Sequence, residues 1–105
     1  LAYTREVLCT VYYGMKHRLQ ANNIPSALNT IVSTKRTQYQ AMWASAGGNL
    51  PTIAAGLGDI VQGRIADVSA ELVAAVPDVS NPGDYLGYQV LLARDTTGVW
   101  RIAGM

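Results

Sequence analysis

The stretch Asp59-Ile-Val-Gln-Gly-Arg-Ile65 decides the fold class, because here the spacing of apolar residues changes from about 3.6 to about 2. Beyond it, β-branched residues separated by turn residues replace helical stripes. Strands are predicted near Asp59 to Ile65, Val68 to Val76, Tyr85 to Arg94 and Val99 to Gly104. Pro77-Asp-Val-Ser-Asn-Pro-Gly-Asp84 is rich in turn residues, and Asp95-Thr-Thr-Gly98 reads as a hairpin loop with glycine at the positive φ position. Links this short favour an antiparallel meander. In the last strand Trp100 and Ile102 alternate with Arg101 and Ala103, so one face meets the helices and the other is more polar.

Upstream of the switch the pattern is helical. From about Tyr3 to Ala21, the residues Tyr3, Val7, Leu8, Val11, Tyr12, Met15 and Leu19 form an amphipathic stripe. Asn22 and Asn23 end it, since asparagine tolerates the left-handed conformation. Pro25 opens a second helix running to about Ile31, with Ile24, Leu28, Ile31 and Val32 turned inward. Ser33 or Thr34 is expected to cap a third helix, whose stripe is Tyr39, Met42, Trp43 and Ala46 and which stops at Gly47-Gly48. Asn49 is expected to cap a fourth, with Ile53, Ala54 and Leu57 facing the core and Gly58 at its end. Helices followed by strands make the class α+β: N-terminal helices packed on a four-stranded antiparallel meander.

A chain of 105 residues supports one domain. With 50% hydrophobic and 14% charged residues it has enough apolar matter to fold. Its longest apolar runs, such as Ile53 to Leu57, fall far short of the ~20 residues of a membrane span. A single cysteine, Cys9, allows no internal disulfide, and a single histidine, His17, provides no zinc cluster. The lone cysteine is compatible with either redox compartment, so localisation stays open. Leu1 reads as an excision or processing point, the chain being either a domain of a longer protein or a mature chain.

The net charge of +1 hides two halves of opposite sign. Residues 1–58 carry Arg5, Lys16, Arg18, Lys35 and Arg36 against Glu6, for +4; residues 59–105 carry Arg64, Arg94 and Arg101 against six carboxylates, for −3. These cations are too few and too scattered for a nucleic-acid surface, which needs a dense basic stripe with interleaved aromatics. Ordinary solvated faces account for them better.

The catalytic residue types do not converge. His17 lies between Lys16 and Arg18, away from the stripe, where a solvated histidine is expected. Cys9 and His17 are eight residues apart, about 12 Å along a helix at 1.5 Å per residue, too far for a thiolate and its base. Asp59, Asp67, Asp78, Asp84 and Asp95 fall at strand ends and turns, where aspartate bonds its own backbone. Asp78-Val-Ser-Asn-Pro-Gly-Asp84 lacks the ligand spacing of a calcium loop, and Gly56-Leu-Gly58 comes too late in its helix to cradle a phosphate. No cofactor and no metal site is expected.

Gly14-Met-Lys-His-Arg-Leu-Gln-Ala-Asn-Asn-Ile-Pro-Ser-Ala-Leu28, followed by Arg36-Thr-Gln-Tyr39, resembles the opening of nuclear transport factor two-like domains of the cystatin-like cone type. Tyr88-Gln-Val-Leu-Leu-Ala-Arg-Asp-Thr-Thr-Gly-Val-Trp-Arg-Ile102 is similar to that superfamily's last hairpin. Leu50-Pro-Thr-Ile53 also resembles small accessory domains of uncharacterised bacterial proteins. The resemblance implies helices in the concavity of a curved sheet, often with a pocket at the open end. The superfamily hosts isomerases, cyclases, hydrolases and binding modules, so fold alone selects no activity.

If the cone holds a cavity, Tyr12, Tyr39, Trp43, Tyr88 and Trp100 are the pocket-lining candidates, rings that carry a polar handle in a chain without phenylalanine. Such a lining suits an apolar small molecule. Tyr13, off the stripe, and Val73, Leu91 and Ala93, on the exposed sheet face beside Ala75, are the interface candidates. Before Asp59 the only carboxylate is Glu6, off the apolar face. That absence favours a non-enzymatic binding or accessory domain, partnered by a second copy or a parent chain, over a ligand carrier or small enzyme.

Overall fold

A computed structural model describes residues 2–105, with side chains from Thr4 onward. Helix α1 (Ala2–Gln20) buries Leu8, Tyr12, Met15 and Leu19 completely or nearly so, while Val7 and Val11 flank them half-buried. The Leu1 expectation and the place of Tyr3 on the stripe lie outside the described residues. Asn22 takes the left-handed region at φ 55°, and the Asn23 N–H donates back to the Arg18 carbonyl at 2.8 Å, closing the helix end.

Helix α2 (Ile24–Leu28) has Pro25 in its first turn and is capped by Asn23, whose side-chain oxygen accepts from the Ser26 N–H. It ends three residues before the expected Ile31. Ile31 is buried as a bridge residue paired parallel with Ile102, because the flanking Thr30 carbonyl and Val32 N–H find partners in the Ile102 N–H and carbonyl at the strand edge.

Helix α3 (Arg36–Ala46) is entered through a 3-10 turn, Ser33–Lys35, and neither Ser33 nor Thr34 caps it. The turn's own backbone bonds occupy the donors a cap would serve. Tyr39 and Trp43 are buried, but Met42 is 50% exposed: α3 lies against α2 at the margin of the domain and buries only a narrow stripe. Gly47 stops the helix at φ 54°. A second 3-10 turn, Gly47–Asn49, feeds helix α4 (Leu50–Ala55), so the Asn49 side chain makes no cap bond. Leu50 and Ala54 are buried one turn apart against α1, whereas Ile53 is 54% exposed, contrary to its expected inward position. The helix ends at Ala55, and Leu57 follows it half-buried.

Strands β1 (Asp59–Ile65), β2 (Ser69–Pro77), β3 (Tyr85–Arg94) and β4 (Trp100–Gly104) form an antiparallel sheet in the order β1-β2-β3-β4. The period of 2 puts Ala70, Leu72, Ala74, Val90, Leu92, Trp100 and Ile102 against the helices. Val73, Ala75, Leu91 and Ala93 fall on the opposite face by register. In β1 a bulge between Ile60 and Gln62 shifts the alternation, so Ile60, Gly63 and Ile65 lie opposite the inward Ala74, Leu72 and Ala70. Gly98, at φ 87°, makes the β3–β4 turn. The α+β architecture is thus helices packed on one side of a four-stranded antiparallel sheet.

Candidate functional site

The concave side of the sheet meets α1 at the helix-to-sheet junction, Leu57–Ile60. Three side chains on two adjacent turns of α1 engage its backbone. Tyr12 Oη donates to the Gly58 carbonyl at 2.6 Å, Tyr13 Oη accepts from the Ile60 N–H at 2.9 Å, and Lys16 Nζ donates to the Leu57 carbonyl at 2.8 Å. Tyr88, reaching in from β3, accepts from the Gly58 N–H at 3.1 Å and lies 2.9 Å from Tyr12 Oη. Since the Tyr12 proton is given to the Gly58 carbonyl, Tyr88 donates to Tyr12, and the four groups close a ring. Burial, then the Tyr88 hydrogen bond, pushes the Tyr12 phenol far above its usual value, so it stays protonated.

Gly58 is required there. A Cβ on it would stand 2.4 Å from the Ala75 carbonyl oxygen and 2.7 Å from its carbon, both backbone atoms that cannot swing aside.

The pocket-lining candidates fall into three places. Tyr12 and Tyr88 meet in the ring just described. Tyr39 and Trp43 pair on α3, ring centroids 5.5 Å apart and tilted by 46°. Trp100, nearly buried on β4, borders a groove of ≈ 440 Å³ with Thr4, Val7 and Arg94. Among the interface candidates, Tyr13 is half-buried, stands edge-on to Tyr12 at 5.2 Å and serves the junction with its hydroxyl. Leu91 is 43% exposed, and Val73 and Ala93 are half-buried on the outer face.

A larger open groove of ≈ 910 Å³ runs between the first turns of α1 and β1, bordered by Arg5, Glu6, Cys9, Ile60, Gly63 and Leu72 among others. Sequence reasoning missed it, because Glu6 and Cys9 lie off the stripe and become neighbours of β1 only through the packing of α1. The bulge in β1 left a trace in the sequence, an alternation that skips at Val61. Cys9 is a free, half-buried thiol, and His17 is exposed and does not border the groove. Among the described residues no three of His, Cys, Asp and Glu gather as a metal site, every buried side-chain polar atom is partnered, and no helix is long and apolar enough to cross a membrane.

The aspartates at turns do local work. Asp78 accepts from Asn81 and the Ser80 N–H, which lowers its pKa. Asp95 accepts from the Thr97 hydroxyl and the Val99 N–H, with Arg101 at 2.6 Å, and is held well below the usual carboxylate range.

No family model and no curated protein matches the chain. Among solved structures it is similar to a Campylobacter jejuni protein described as a "Putative NTF2-like transpeptidase", with 14% identity, a TM-score of 0.59, and 88% of this chain and 93% of that one covered. An identity that low with so complete a superposition is a likeness of fold alone. The chain is built on the nuclear transport factor two-like α+β fold.

Proposed function

We propose that this chain is a non-enzymatic binding or accessory domain that mediates protein association. One observation carries the reading: where α1 meets the sheet at Leu57–Ile60, the interior is closed by the hydrogen-bonded ring of Tyr12, Tyr88 and Gly58. On this reading Tyr12, Tyr39, Trp43, Tyr88 and Trp100 build the interior. Val73, Leu91 and Ala93 supply a contact face for a second copy or a neighbouring domain of a parent chain.

The open groove beside β1, with Ile60, Ile65 and Leu72 in its lining, supports a second reading as a small-molecule carrier or isomerase-like enzyme. Native mass spectrometry separates the two. Association predicts a clean multiple of 11.2 kDa that Leu91→Glu shifts toward monomer. Added mass released on denaturation would put the ligand reading first, and a native mass unchanged by Leu91→Glu would remove the sheet face from the first.

A further inference from the structure

Strand β3 outruns the strand beside it. Its last pairing with β4 sets Leu91 against Gly104, so Tyr85 to Gln89 have β2 on one side and, among the described residues, no strand on the other. Two bonds fix the direction of its peptide groups. The Arg94 N–H donates to the Val68 carbonyl at 2.9 Å and the Asp84 carbonyl accepts from the Asp78 N–H at 2.9 Å, so the even-numbered residues of β3 bond toward β2. No bulge interrupts that register, and Tyr85, Gly87 and Gln89 therefore turn their N–H and carbonyl groups to the open side. All three are exposed, as is Leu86 at 55%. Among the described residues, bonds from outside the sheet reach this segment only at the Tyr88 hydroxyl, on the helix side.

We propose that a second copy of this chain pairs with this half of β3, antiparallel about Leu86, with Tyr85 of each protomer opposite Gly87 of the partner subunit. The inference rests on the association reading and assigns it a strand edge in place of the sheet's outer face. From Tyr85 to Ala93 the strand carries no charge and no proline, the residues that usually guard an open edge. Only odd-numbered residues present free peptide groups, so a slip of one residue, which opposes odd to even, is excluded. A slip of two in one direction drives Asp84 of the partner subunit against Val90, where Met105 follows the Gly104 end of β4. A slip of two in the other opposes Gly87 to Gly83 of the partner subunit, a turn residue at φ 92°. Centring on Leu86 avoids both and leaves Gln89 and Val90 as a gap between the incoming strand and β4.

In this register Tyr85 and Gly87 of the partner subunit exchange N–H and carbonyl bonds, and the two-fold axis repeats the pair. The Tyr85 ring, 70% exposed, covers that glycine on the outer face. A Cβ built on Gly87 stands 3.5 Å from Val73 Cγ1, an ordinary contact, so the ring meets no obstruction. On the inner face the axis brings two exposed Leu86 side chains together. Charge favours a copy of this chain as the occupant. Its β2–β3 hairpin carries Asp78 and Asp84, and residues 65–93 hold no Lys or Arg. The parallel bridge of Ile31 with Ile102 runs the strap toward the open half of β3 and directly into Lys35 and Arg36, which make no ion pair among the described residues. Antiparallel pairing points the acidic hairpin of each copy toward these cations of the other.

Leu86 faces itself across the axis, so a charge placed there meets its own copy. Sedimentation equilibrium of the whole chain from about 1 μM to about 1 mM tests this. The native chain is expected to approach twice 11.2 kDa. Leu86→Lys and Leu86→Glu should each weaken the dimer about tenfold, and an equimolar mixture of the two should restore it to within about threefold. A monomer throughout, single variants that dimerise like the native chain, or a mixture no tighter than its components would each overturn the proposal. Amide exchange on the native chain needs no variant: the Gly87 amide should slow with concentration while that of Ile60, bonded to Tyr13, does not. Gly87 exchange independent of concentration overturns the pairing. A dimer abolished by Leu91→Glu but indifferent to charge at Leu86 rejects the edge and keeps the sheet face; the reverse pattern rejects the face.

Discussion

The junction Leu57–Ile60 and the strap Thr30–Val32 are two places where the helical half reaches the sheet, and they are built by opposite means. At the junction, side chains of α1 hold backbone: Tyr12, Tyr13 and Lys16 together serve Gly58, Ile60 and Leu57. At the strap, backbone holds backbone through Thr30, Val32 and Ile102. The consequence is spatial. Side-chain anchoring holds β1 at its beginning and takes one N–H there, that of Ile60, leaving the rest of the edge without a backbone strap among the described residues, whereas backbone pairing covers the edge of β4 at Ile102.

The strongest way to break the junction is Gly58→Ala. Its Cβ meets the Ala75 backbone, so β1 and β2 must separate locally, and a loss of about 3 kcal/mol is expected in urea denaturation. A loss below about 1 kcal/mol would mean that the approach at Ala75 relaxes cheaply.

The matching attack on the strap is Val32→Pro. Val32 already has φ −58°, so proline fits the backbone while removing the N–H that serves the Ile102 carbonyl. The expected cost is about 2 kcal/mol, with a new tendency to aggregate through the uncovered edge. A variant as stable as the native chain would show that the strap lies over β4 without supporting it.

Tyr12→Phe sharpens the comparison with a smaller change. It opens the hydrogen-bonded ring and deprives the Gly58 carbonyl of its partner, for an expected loss of about 1–2 kcal/mol. It also alters alkaline behaviour. The folded phenol is raised above its unfolded value near 10, so the stabilisation it brings is complete below about pH 10 and is lost as pH rises beyond that. Denaturation midpoints measured from pH 8 to 11.5 should therefore fall less steeply in Tyr12→Phe than in the native chain; equal slopes would remove Tyr12 from the alkaline transition.

The smallest effect lies at the exposed β3–β4 turn. Asp95 is lowered when folded, so its contribution is present above the unfolded carboxylate value near 3.9 and is lost as pH falls below it. Asp95→Asn should reduce stability slightly at neutral pH, and the gap from the native chain should narrow steadily as pH falls from about 4 toward 2. A gap that persists in acid would assign the effect to the turn's shape and not to its charge.

Much of this fold can be read without coordinates. The period change at Asp59, the stripe Leu8, Tyr12, Met15 and Leu19, and the glycine at the last turn are local signals that tertiary packing left undisturbed. β1 and β3 begin and end where alternation places them. The readings that shifted are those settled by neighbours: Met42 and Ile53 have the spacing of core residues, but their short helices bury only the narrow face that another helix covers. The expected caps at Ser33 or Thr34 and at Asn49 gave way to 3-10 turns that satisfy the same donors through backbone.

By itself, then, the sequence determined element type, order and the inward face of each long element, because these depend on periodicity within a few residues. Tertiary structure alone decided which tyrosine hydroxyls meet, that Thr30–Val32 covers one edge, and that at the other Tyr13 takes the Ile60 N–H. Those outcomes depend on pairs such as Tyr12 with Tyr88 and Ile31 with Ile102, which lie far apart along the chain and are joined only when helix and sheet dock.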